Sequence, residues 1–294
     1  MKSLIIGMGI GQLYKQVLTS VGHEVVTVDS DPGKGADFTD LSEALRSNPR
    51  FDTAHICTPN FTHLKLARAV APLCRIVFIE KPGVATEDAW RQLVIDHPQT
   101  RITMVKNNQW RSHFAYVRDC FHNSDVINLH WINRNRVPNA GTWFTTRDLA
   151  YGGVSRDLMP HLLSFVTGFC QNYHMATIER IHSEQRWYLS DLTDTEYGQV
   201  NPDGIYDVDD LAEIDFRMGN KTVKLVADWR SNTSDDRAIT FNMKNSAVRY
   251  ELGLCPGDAY LNMIENCFQN LNNAEFWTMQ YKQDLWIHNI MERF

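Results

Sequence analysis

Short apolar runs alternate with amphipathic helical patterns over about the first 110 residues of the chain. The apolar runs predict buried strands at residues 3–6, 23–28, 53–57, 75–79 and 102–106. The patterns between them predict helices at residues 12–20, 41–46, 63–71 and 87–95. Strands that alternate with helices favour right-handed crossovers, and hence a parallel sheet covered by helices on both faces.

The pattern changes after about residue 120, where strands follow one another with few helices between them. Strands are predicted at residues 126–133, 211–218, 222–228 and 238–243. A long helix is expected from about residue 157 to 167, and closing helices at 256–273 and 276–294. The predicted fold class is α/β. It has a parallel-sheet domain at residues 1–118 and an α+β domain with a large open, mostly antiparallel sheet at 119–294.

The composition is that of an ordinary globular protein, with 294 residues of which 43% are hydrophobic and 22% are charged. The formal net charge of -6 argues against nucleic acid or an anionic membrane as a partner. No stretch approaches the roughly 18 to 20 apolar residues that span a bilayer. The first apolar run is interrupted by glycines and lacks a cleavage site. We therefore expect an unprocessed cytoplasmic protein.

The chain has six cysteines, at positions 57, 74, 120, 170, 255 and 267. None of them forms a C-x-x-C pair or has the spacing of metal ligands, so no metal site is predicted. Reduced thiols in a cytoplasmic protein are the simplest interpretation.

A glycine-rich turn follows the first predicted strand and opens the first predicted helix. It reads Gly7-Met8-Gly9-Ile10-Gly11, whereas the usual dinucleotide pattern is G-x-G-x-x-G, so Gly11 stands one residue early. A glycine motif alone also marks ordinary tight turns. Here Asp29 ends the second strand about 20 residues later, where an acid can bind the ribose 2′-OH of a dinucleotide. The predicted cofactor contacts are Gly7, Gly9, Ile10, Gly11 and Asp29.

The charge of Asp29 favours NAD over NADP, because a carboxylate there would repel a 2′-phosphate. Lys34 lies close enough in sequence to leave NADP open. Asp29 could also be a solvated turn residue, since a Ser-Asp-Pro-Gly sequence follows it.

Two further segments carry candidate catalytic side chains. Glu80-Lys81-Pro82 comes directly after the fourth strand, and Gly152-Gly153 precedes a helix start that carries Asp157 and His161. Residues four apart lie on one face of a helix, so Asp157 and His161 should be neighbours. Each residue alone has an ordinary structural interpretation. Together with a nucleotide turn, they indicate proton transfer coupled to hydride transfer.

Three segments of this chain resemble the glucose–fructose oxidoreductase/inositol dehydrogenase (Gfo/Idh/MocA) family. Residues 57–63 (Cys-Thr-Pro-Asn-Phe-Thr-His) resemble its T-P-N-x-x-H segment, residues 80–82 its E-K-P signature, and residues 152–161 its G-G-x-x-x-D-x-x-x-H segment. The order and spacing of all three agree. The resemblance implies an N-terminal Rossmann domain, a C-terminal domain whose open sheet often forms a dimer face, and an NAD(P)-dependent oxidoreductase for sugars or polyols.

The resemblance also implies roles for individual residues. The nicotinamide-ribose side would be lined by Thr58, Pro59, Asn60, His63 and Glu80. Lys81, Asp157 and His161 would face the substrate. His161 suits a general base because an imidazole titrates near neutral pH. Lys81 would stabilise negative charge on the substrate oxygen, or could itself move the proton.

Five residues are candidate substrate contacts, since aromatic faces and charged donors suit a polyhydroxylated ligand and arginines suit a carboxylate or phosphate. They are Arg134, Arg136, Trp143, Thr145 and Arg156. Each could equally be a surface or packing residue.

Three functions agree with these patterns. The first is an NAD(P)-dependent dehydrogenase of a sugar, polyol or sugar derivative, working as a homodimer or homotetramer through the C-terminal sheet. The second is a redox-neutral glycosidase of the same fold that recycles NAD. The third is a non-catalytic dinucleotide-binding regulator, which has no need of Lys81, Asp157 and His161 together.

Overall fold

A five-stranded parallel sheet forms the N-terminal part of the protein, in the strand order β2-β1-β3-β4-β5. The computed structural model describes residues 1–253 and 257–294. The strands are β1 (Lys2–Ile6), β2 (Glu24–Val28), β3 (Phe51–Ile56), β4 (Cys74–Ile79) and β5 (Arg101–Met104). All neighbouring pairs are parallel, which confirms the predicted parallel sheet.

Four helices connect these strands: α1 (Gly11–Ser20), α2 (Leu41–Ser47), α3 (His63–Val70) and α4 (Glu87–Asp96). Two of these helices have a short polar side chain at the N-cap position. Thr86 caps α4 by accepting a hydrogen bond from the backbone N–H of Ala89 at 3.1 Å, and Asp40 caps α2 in the same way. The acidic residues in the first turn of α4 suit the positive end of the helix dipole.

A six-stranded sheet follows, in the order β11-β10-β6-β9-β8-β7. Its strands are β6 (Val126–Ile132), β7 (Thr177–Glu184), β8 (Leu211–Met218), β9 (Lys221–Asp228), β10 (Asp236–Met243) and β11 (Ser246–Glu251). The β6–β9 pair is parallel and the other pairs are antiparallel, which confirms the predicted mostly antiparallel sheet.

The two edge strands, β7 and β11, have no counterpart among the predicted strands. Both carry charged residues and are mostly exposed or half-exposed, so neither shows a clear apolar alternation. In contrast, the central strand β6 alternates regularly between half-buried and buried residues, and its period was readable from the sequence.

The helices that accompany this sheet are α5 (Phe114–His122), α6 (Arg147–Ala150), α7 (Val154–Asp157) and α8 (Met159–Phe169). The long helix expected near residues 157–167 corresponds to α7 and α8, which meet at Leu158. The closing helices are α9 (Gly257–Gln269) and α10 (Ala274–Met291). The start predicted for the first of them, at residue 256, lies outside the described residues, as does the cysteine at 255.

The described chain divides into two compact units, residues 1–111 with 257–288, and residues 112–253 with 289–294. The predicted boundary between residues 118 and 119 differs from this division, because α9 and most of α10 pack with the parallel sheet. Tyr260 of α9 meets Tyr14 of α1 edge-on, with 5.1 Å between the ring centroids. Asp284 of α10 forms a buried ion pair with Lys106, two residues after β5.

Within the described residues, no helix combines the length and the apolar character needed to cross a membrane.

Candidate active site

The carboxyl ends of β1, β3 and β4 lie side by side at one edge of the parallel sheet. The pairing continues past the strands, since the N–H of Cys57 donates to the carbonyl of Ile6 at 2.7 Å. One strand further, the N–H of Glu80 donates to the carbonyl of Ile56 at 3.0 Å. The structure therefore brings the glycine turn, the Thr-Pro-Asn segment and the Glu-Lys-Pro segment together. Ligands of open parallel sheets bind at this edge.

Two glycines of the shortened turn are required by close packing. Gly7 has a φ of +92°, and a Cβ there would lie 2.7 Å from the carbonyl oxygen of Cys57. A Cβ on Gly11 would lie 2.9 Å from a methyl carbon of Ile5. In contrast, Gly9 is exposed and a Cβ there would meet nothing within 4 Å. The turn thus keeps open space beside its middle glycine.

The start of α1 carries no side-chain cap. Ile10 stands at the N-cap position, 41% exposed, and the first turn contains no acidic residue. The first backbone N–H groups of a helix lack intrahelical acceptors and favour an anion such as a phosphate. The N–H groups of Gln12 and Leu13 donate to the carbonyls of Gly9 and Ile10 at 3.4 and 2.9 Å, so the donors that suit a pyrophosphate are the earlier N–H groups of the turn.

Asp29 binds the glycine turn to the end of β2. Its Oδ2 accepts a hydrogen bond from the N–H of Met8 at 2.6 Å, and its Oδ1 accepts one from the N–H of Asp31 at 2.9 Å. The side chain is half-buried, so the carboxylate is fixed at the sheet edge beside the turn. Each carboxylate oxygen has a second lone pair for a ligand hydroxyl.

His63 joins two of the loops at this edge and is fully buried. Its Nδ1 lies 2.7 Å from the carbonyl oxygen of Gly83, and its Nε2 lies 2.8 Å from that of Thr58. Burial lowers the pKa of this imidazole. His63 therefore contacts the loops after both β3 and β4, and in its neutral form it donates a hydrogen bond to one of the two carbonyls. Thr58 and Pro59 of the first loop are half-buried, and Asn60 is buried.

Glu80 places a carboxylate inside the unit rather than in solvent, at 8% exposure. Its Oε1 accepts a hydrogen bond from the hydroxyl of Tyr14 at 2.7 Å, and its Oε2 accepts one from the N–H of Lys81 at 3.2 Å. Burial raises the pKa of Glu80, while the Tyr14 hydrogen bond and the Lys81 charge lower it. Lys81 itself is half-buried at the end of β4.

The loop after Lys81 is also held by α10, which the sequence did not indicate. The N–H of Val84 donates to Nε2 of His288 at 3.2 Å, and the His288 ring stacks on Trp90 with centroids 4.8 Å apart. A Cβ on Gly83 would lie 2.5 Å from His288 Nε2, so glycine is needed there. No local sequence pattern reports this contact, because His288 lies 204 residues beyond Val84.

In the second unit, Asp209 explains the Gly152-Gly153 pair. Its carboxylate accepts hydrogen bonds from the N–H of Gly153 at 3.0 Å and from the N–H and hydroxyl of Ser155 at 2.8 and 2.9 Å. A Cβ on Gly153 would overlap the backbone of Asp209, and Gly152 has a φ of +149°. The glycines let this turn approach Asp209, so the position of the following helix is fixed.

Asp157 ends α7 and His161 lies in the first turn of α8, on either side of the junction at Leu158. The helical hydrogen bonds continue there, since the N–H of Leu158 donates to the Val154 carbonyl at 3.0 Å, and the N–H of Leu162 donates to the Leu158 carbonyl at 3.4 Å. The N–H of His161 donates to the Leu158 carbonyl at 3.0 Å, so the last bond before His161 spans three residues. The proximity of Asp157 and His161 stays a prediction from helical spacing.

Two tryptophans from adjacent strands hold this pair. The indole Nε1–H of Trp229 donates to Asp157 Oδ2 at 2.8 Å. The His161 ring stacks on Trp131 with centroids 5.4 Å apart and planes 22° apart. Trp131 lies in β6 and Trp229 directly follows β9, its parallel neighbour. The strand ends thus fix the orientation of both candidate catalytic groups, which remain half-buried.

Three of the predicted substrate residues contact a carboxylate or an aromatic ring. Arg134 is 68% exposed and pairs with Glu196 at 2.8 Å. The Arg136 guanidinium lies over the Tyr197 ring at 4.9 Å, and its backbone N–H donates to the carbonyl of Trp229 at 2.8 Å. Trp143 stacks on the neighbouring ring at 3.8 Å. Of these three residues, Arg136 is connected by its backbone hydrogen bond to Trp229, whose indole N–H donates to Asp157.

The other two substrate candidates are buried. The hydroxyl of Thr145 donates to the carbonyl of Ile205 at 2.7 Å and accepts from the N–H of Gly141 at 2.8 Å. Arg156 is 7% exposed, and burial lowers the pKa of its guanidinium while Glu292 and Asp209 raise it. Contacts inside the unit thus engage both side chains, and their contact with substrate stays a prediction.

A cavity of about 1010 Å³ opens at the opposite edge of the parallel sheet. It is lined by the starts of β3, β4 and β5, which include Phe51, Cys74 and Arg101. The glycine turn and Lys81 lie at the carboxyl ends of the strands, so this cavity is separate from the candidate site.

Similar known proteins support the fold assignment. No protein-family model matches the chain. A putative UDP-kanosamine synthase oxidoreductase subunit of Amycolatopsis mediterranei (strain S699) is 27% identical over 235 residues, which cover 73% of this chain. The match spans 63% of that protein's length.

Solved structures match almost the whole chain. Levoglucosan dehydrogenase in complex with NADH and levoglucosan has a TM-score of 0.76 and 14% identity, over 99% of this chain and 96% of that one. GenD2 from gentamicin A biosynthesis, in complex with NAD, has a TM-score of 0.74 and 16% identity, over 99% and 92%. The resemblance inferred from the three motifs is confirmed in the architecture, and the chain has the fold of the Gfo/Idh/MocA-type sugar and inositol dehydrogenases.

Proposed function

We propose that this chain is an NAD-dependent oxidoreductase that transfers a hydride between nicotinamide and a secondary alcohol or ketone of a sugar, polyol or sugar derivative. The observation that carries the proposal is the sheet edge where Asp29, the glycine turn and the Glu80-Lys81 pair lie at the carboxyl ends of β2, β1 and β4, with the end of β3 between the last two. The NAD and NADH complexes of the similar structures support the same cofactor.

The residues at this edge fit a dinucleotide. The open turn at Gly9 and the uncapped start of α1 would bind the pyrophosphate, with Gly7, Ile10 and Gly11 shaping the turn. Asp29 would bind the ribose hydroxyls. The bound nicotinamide supplies a hydride acceptor or donor, and the protein supplies position and charge.

The protein side chains would supply proton transfer and charge stabilisation. His161 would take the proton from the substrate hydroxyl, and Asp157, held by Trp229, would orient the hydroxyl or stabilise protonated His161. Lys81 would place positive charge beside the substrate oxygen, which gains negative character during the reaction. Arg136 and the aromatic groups near it would bind the rest of the substrate.

The proposal extends to the organisation of the protein. We keep the predicted assignment of nucleotide binding to residues 1–118, and of substrate binding and homodimer or homotetramer formation to residues 119–294 through the six-stranded sheet. Residues 257–288 are the exception, because they pack with the parallel sheet. The five described cysteines are all free thiols, which is usual in the cytoplasm, and we propose that location.

A panel of sugars, polyols and sugar derivatives, incubated with NAD or NADP and followed by absorbance of the reduced nicotinamide, tests the proposal. A dehydrogenase forms one reduced nicotinamide per substrate oxidised. A redox-neutral glycosidase cleaves substrate without accumulating reduced cofactor. A regulator binds NADH and turns over nothing, and that result would contradict the proposed enzyme.

Changing Asp29 to Asn should weaken the preference for NADH over NADPH by about tenfold, because the repulsion of a 2′-phosphate is removed. Dissociation constants from the fluorescence of bound nicotinamide measure the ratio. Asp31→Asn is the matched control, since Asp31 is an exposed carboxylate two residues further on. An unchanged ratio in Asp29→Asn would show that this carboxylate does not face the ribose.

Changing Trp229 to Phe should lower kcat by about tenfold, because Asp157 loses the hydrogen bond from the indole N–H and the smaller ring packs less well in the core. The NADH dissociation constant should stay within twofold, or about 0.4 kcal/mol. Trp187→Phe is the control, because it removes an indole N–H that donates to the Arg230 carbonyl instead. Equal kcat values for the two variants would remove Trp229 from the proposed site.

A further inference from the structure

The cavity at the starts of the parallel strands has the size of a small-molecule site. Its volume of about 1010 Å³ lies at the upper end of the range in which small ligands bind. Every residue that lines it belongs to the first compact unit, so that unit alone forms its walls. Apolar groups contribute to the lining, among them Phe51, Pro72, Leu73 and Pro98. The cavity can therefore hold a small organic molecule.

Positive charge dominates this cavity, although the whole protein has a formal net charge of -6. Four cationic side chains line it against two carboxylates, namely Lys2, Arg50, Arg75 and Arg101 against Asp52 and Asp96. A cleft lined mainly by one sign of charge attracts ligands of the opposite sign. The cavity therefore favours an anionic ligand.

Both carboxylates of the cavity already have partners. Asp52 Oδ2 accepts a hydrogen bond from the N–H of Lys2 at 2.9 Å, and its Oδ1 lies 3.4 Å from the Arg75 guanidinium. Asp96 Oδ1 accepts from the side-chain amide of Gln92 at 2.7 Å. Neither carboxylate is paired with Arg50 or Arg101, so neither neutralises these two cations directly.

Within the described part of the chain, Arg50 and Arg101 form no ion pair. The Arg50 side chain is exposed and forms no hydrogen bond there. Arg101 is half-buried, and its Nε donates to the carbonyl of Leu271 at 3.2 Å, which leaves the N–H groups of its two terminal nitrogens unbonded there. In contrast, Lys2 pairs with Glu24 at 2.7 Å. Arg50 and Arg101 thus hold uncompensated positive charge at one cavity.

Aromatic rings of the C-terminal helices position two of the arginines. The Arg101 guanidinium lies over the Trp277 ring of α10 at 5.9 Å, and the Arg75 guanidinium lies over the Phe268 ring of α9 at 5.0 Å. Stacking uses the face of a guanidinium and leaves the N–H donors in its plane for hydrogen bonds. Such a planar donor set matches the oxygens of a phosphate, often two at a time.

We propose that this cavity binds a phosphate group, free or as part of a small molecule, with Arg50 and Arg101 as its main charged donors and Arg75 beside them. A phosphate near neutral pH carries up to two negative charges and three acceptor oxygens, which match two uncompensated guanidinium groups. The inference goes beyond the proposed function, because the cavity and the glycine turn lie at opposite edges of the parallel sheet. It requires no hydride transfer.

Isothermal titration calorimetry of the full chain tests the site. Excess NADH is present, so that the proposed dinucleotide site is occupied, and the salt concentration is about 50 mM, where charges are weakly screened. The ligands are inorganic phosphate, glucose 6-phosphate and AMP, and the neutral controls are glucose and adenosine. At least one phosphate compound should bind with a Kd below about 1 mM. The neutral controls should bind at least about tenfold more weakly.

Arginine variants locate the bound phosphate. Arg101→Gln should weaken binding by about tenfold and Arg50→Gln by about fivefold, because each removes a charged donor, and the more exposed one is better screened by solvent. Arg68→Gln is the matched control, since Arg68 is an exposed arginine of α3 that does not line the cavity. Lys81→Ala removes a cation from the opposite sheet edge. Both Arg68→Gln and Lys81→Ala should bind within twofold of wild type, or about 0.4 kcal/mol.

The three phosphate compounds distinguish the source of the group. Equal affinities would assign the site to free phosphate, and tighter binding of glucose 6-phosphate or AMP would show that the organic part is also bound. Either result supports the site if the arginine variants weaken it. Arg50→Gln alone decides the matter if Arg101→Gln does not fold, because the exposed Arg50 side chain has no bonds to lose in the described structure. The inference is overturned if no phosphate compound binds at about 10 mM, or if Arg50→Gln binds as tightly as Arg68→Gln.

Discussion

Replacing Lys81 with alanine should reduce kcat by about 10²- to 10³-fold, because a preorganised positive charge beside the reacting oxygen is removed. Lys81 is half-buried beside Glu80, and its backbone N–H binds that carboxylate. The backbone at Lys81 is therefore fixed at the sheet edge before any substrate arrives. The effect should lie in kcat, and NADH affinity should change less than threefold, or about 0.7 kcal/mol. Steady-state kinetics on the best substrate from the panel, together with nicotinamide fluorescence, measure both quantities.

Two further variants make this prediction specific. Lys65→Ala removes an exposed lysine from α3 in the same unit and should leave kcat unchanged. Lys81→Arg keeps the positive charge and should retain more activity than Lys81→Ala, although its larger planar head group cannot replace a compact ammonium. Activity of Lys81→Ala above one tenth of wild type would place the main charge stabilisation elsewhere.

Changing Asp284 to Asn should destabilise the protein by about 3–5 kcal/mol, because it leaves a buried cation without its counter-charge. Lys106 is 1% exposed, and its ammonium also donates to the Thr103 hydroxyl at 3.1 Å and to the Met104 carbonyl at 3.3 Å. Burial raises the pKa of Asp284 to about 6, even though the charge of Lys106 lowers it. Urea unfolding followed by tryptophan fluorescence measures the change in the free energy of unfolding.

The double variant Lys106→Met/Asp284→Leu should be at least about 2 kcal/mol more stable than Asp284→Asn, because an apolar pair carries no desolvation cost. Glu275→Gln is the control for a charge lost from the same helix. That side chain is exposed in the first turn of α10, and its loss should cost no more than about 1 kcal/mol. A loss of stability in Asp284→Asn no larger than that of the control would show that the ion pair does not fix α10.

Lys81→Ala and Asp284→Asn act on different features of the same unit. Lys81 belongs to the strand end that carries the proposed chemistry, whereas Lys106 and Asp284 join β5 to the helix that bears His288. His288 accepts a hydrogen bond from the N–H of Val84, which lies in the loop after Lys81. The buried ion pair holds the helix that carries His288, so it supports this loop indirectly. We therefore expect Asp284→Asn to lower kcat as well as stability, by less than Lys81→Ala does.

The amino-acid sequence alone determined the features that depend on local periodicity. The five apolar runs predicted the parallel sheet, and the glycine turn, the Thr-Pro-Asn segment and the Glu-Lys-Pro segment became candidates because each follows directly after one of these runs. Asp29 was found in the same way, at the end of β2. The predicted proximity of Asp157 and His161 rests on helical spacing across the α7–α8 junction. Such signals are readable because each connects residues a few positions apart.

The tertiary structure decided the contacts between residues distant in sequence. Tyr14 and Glu80 are 66 positions apart, and Lys106 and Asp284 are 178 apart, so no period or motif could pair them. The packing of α9 and α10 against the parallel sheet depends on such buried contacts, as does the support of the Lys81 loop by His288. The edge strands β7 and β11 were not predicted, because each has a neighbouring strand on one side only. Their exposed residues can therefore be polar, and no apolar alternation marks them. Local sequence therefore specifies which groups stand at the strand ends, and long-range packing specifies what holds them there.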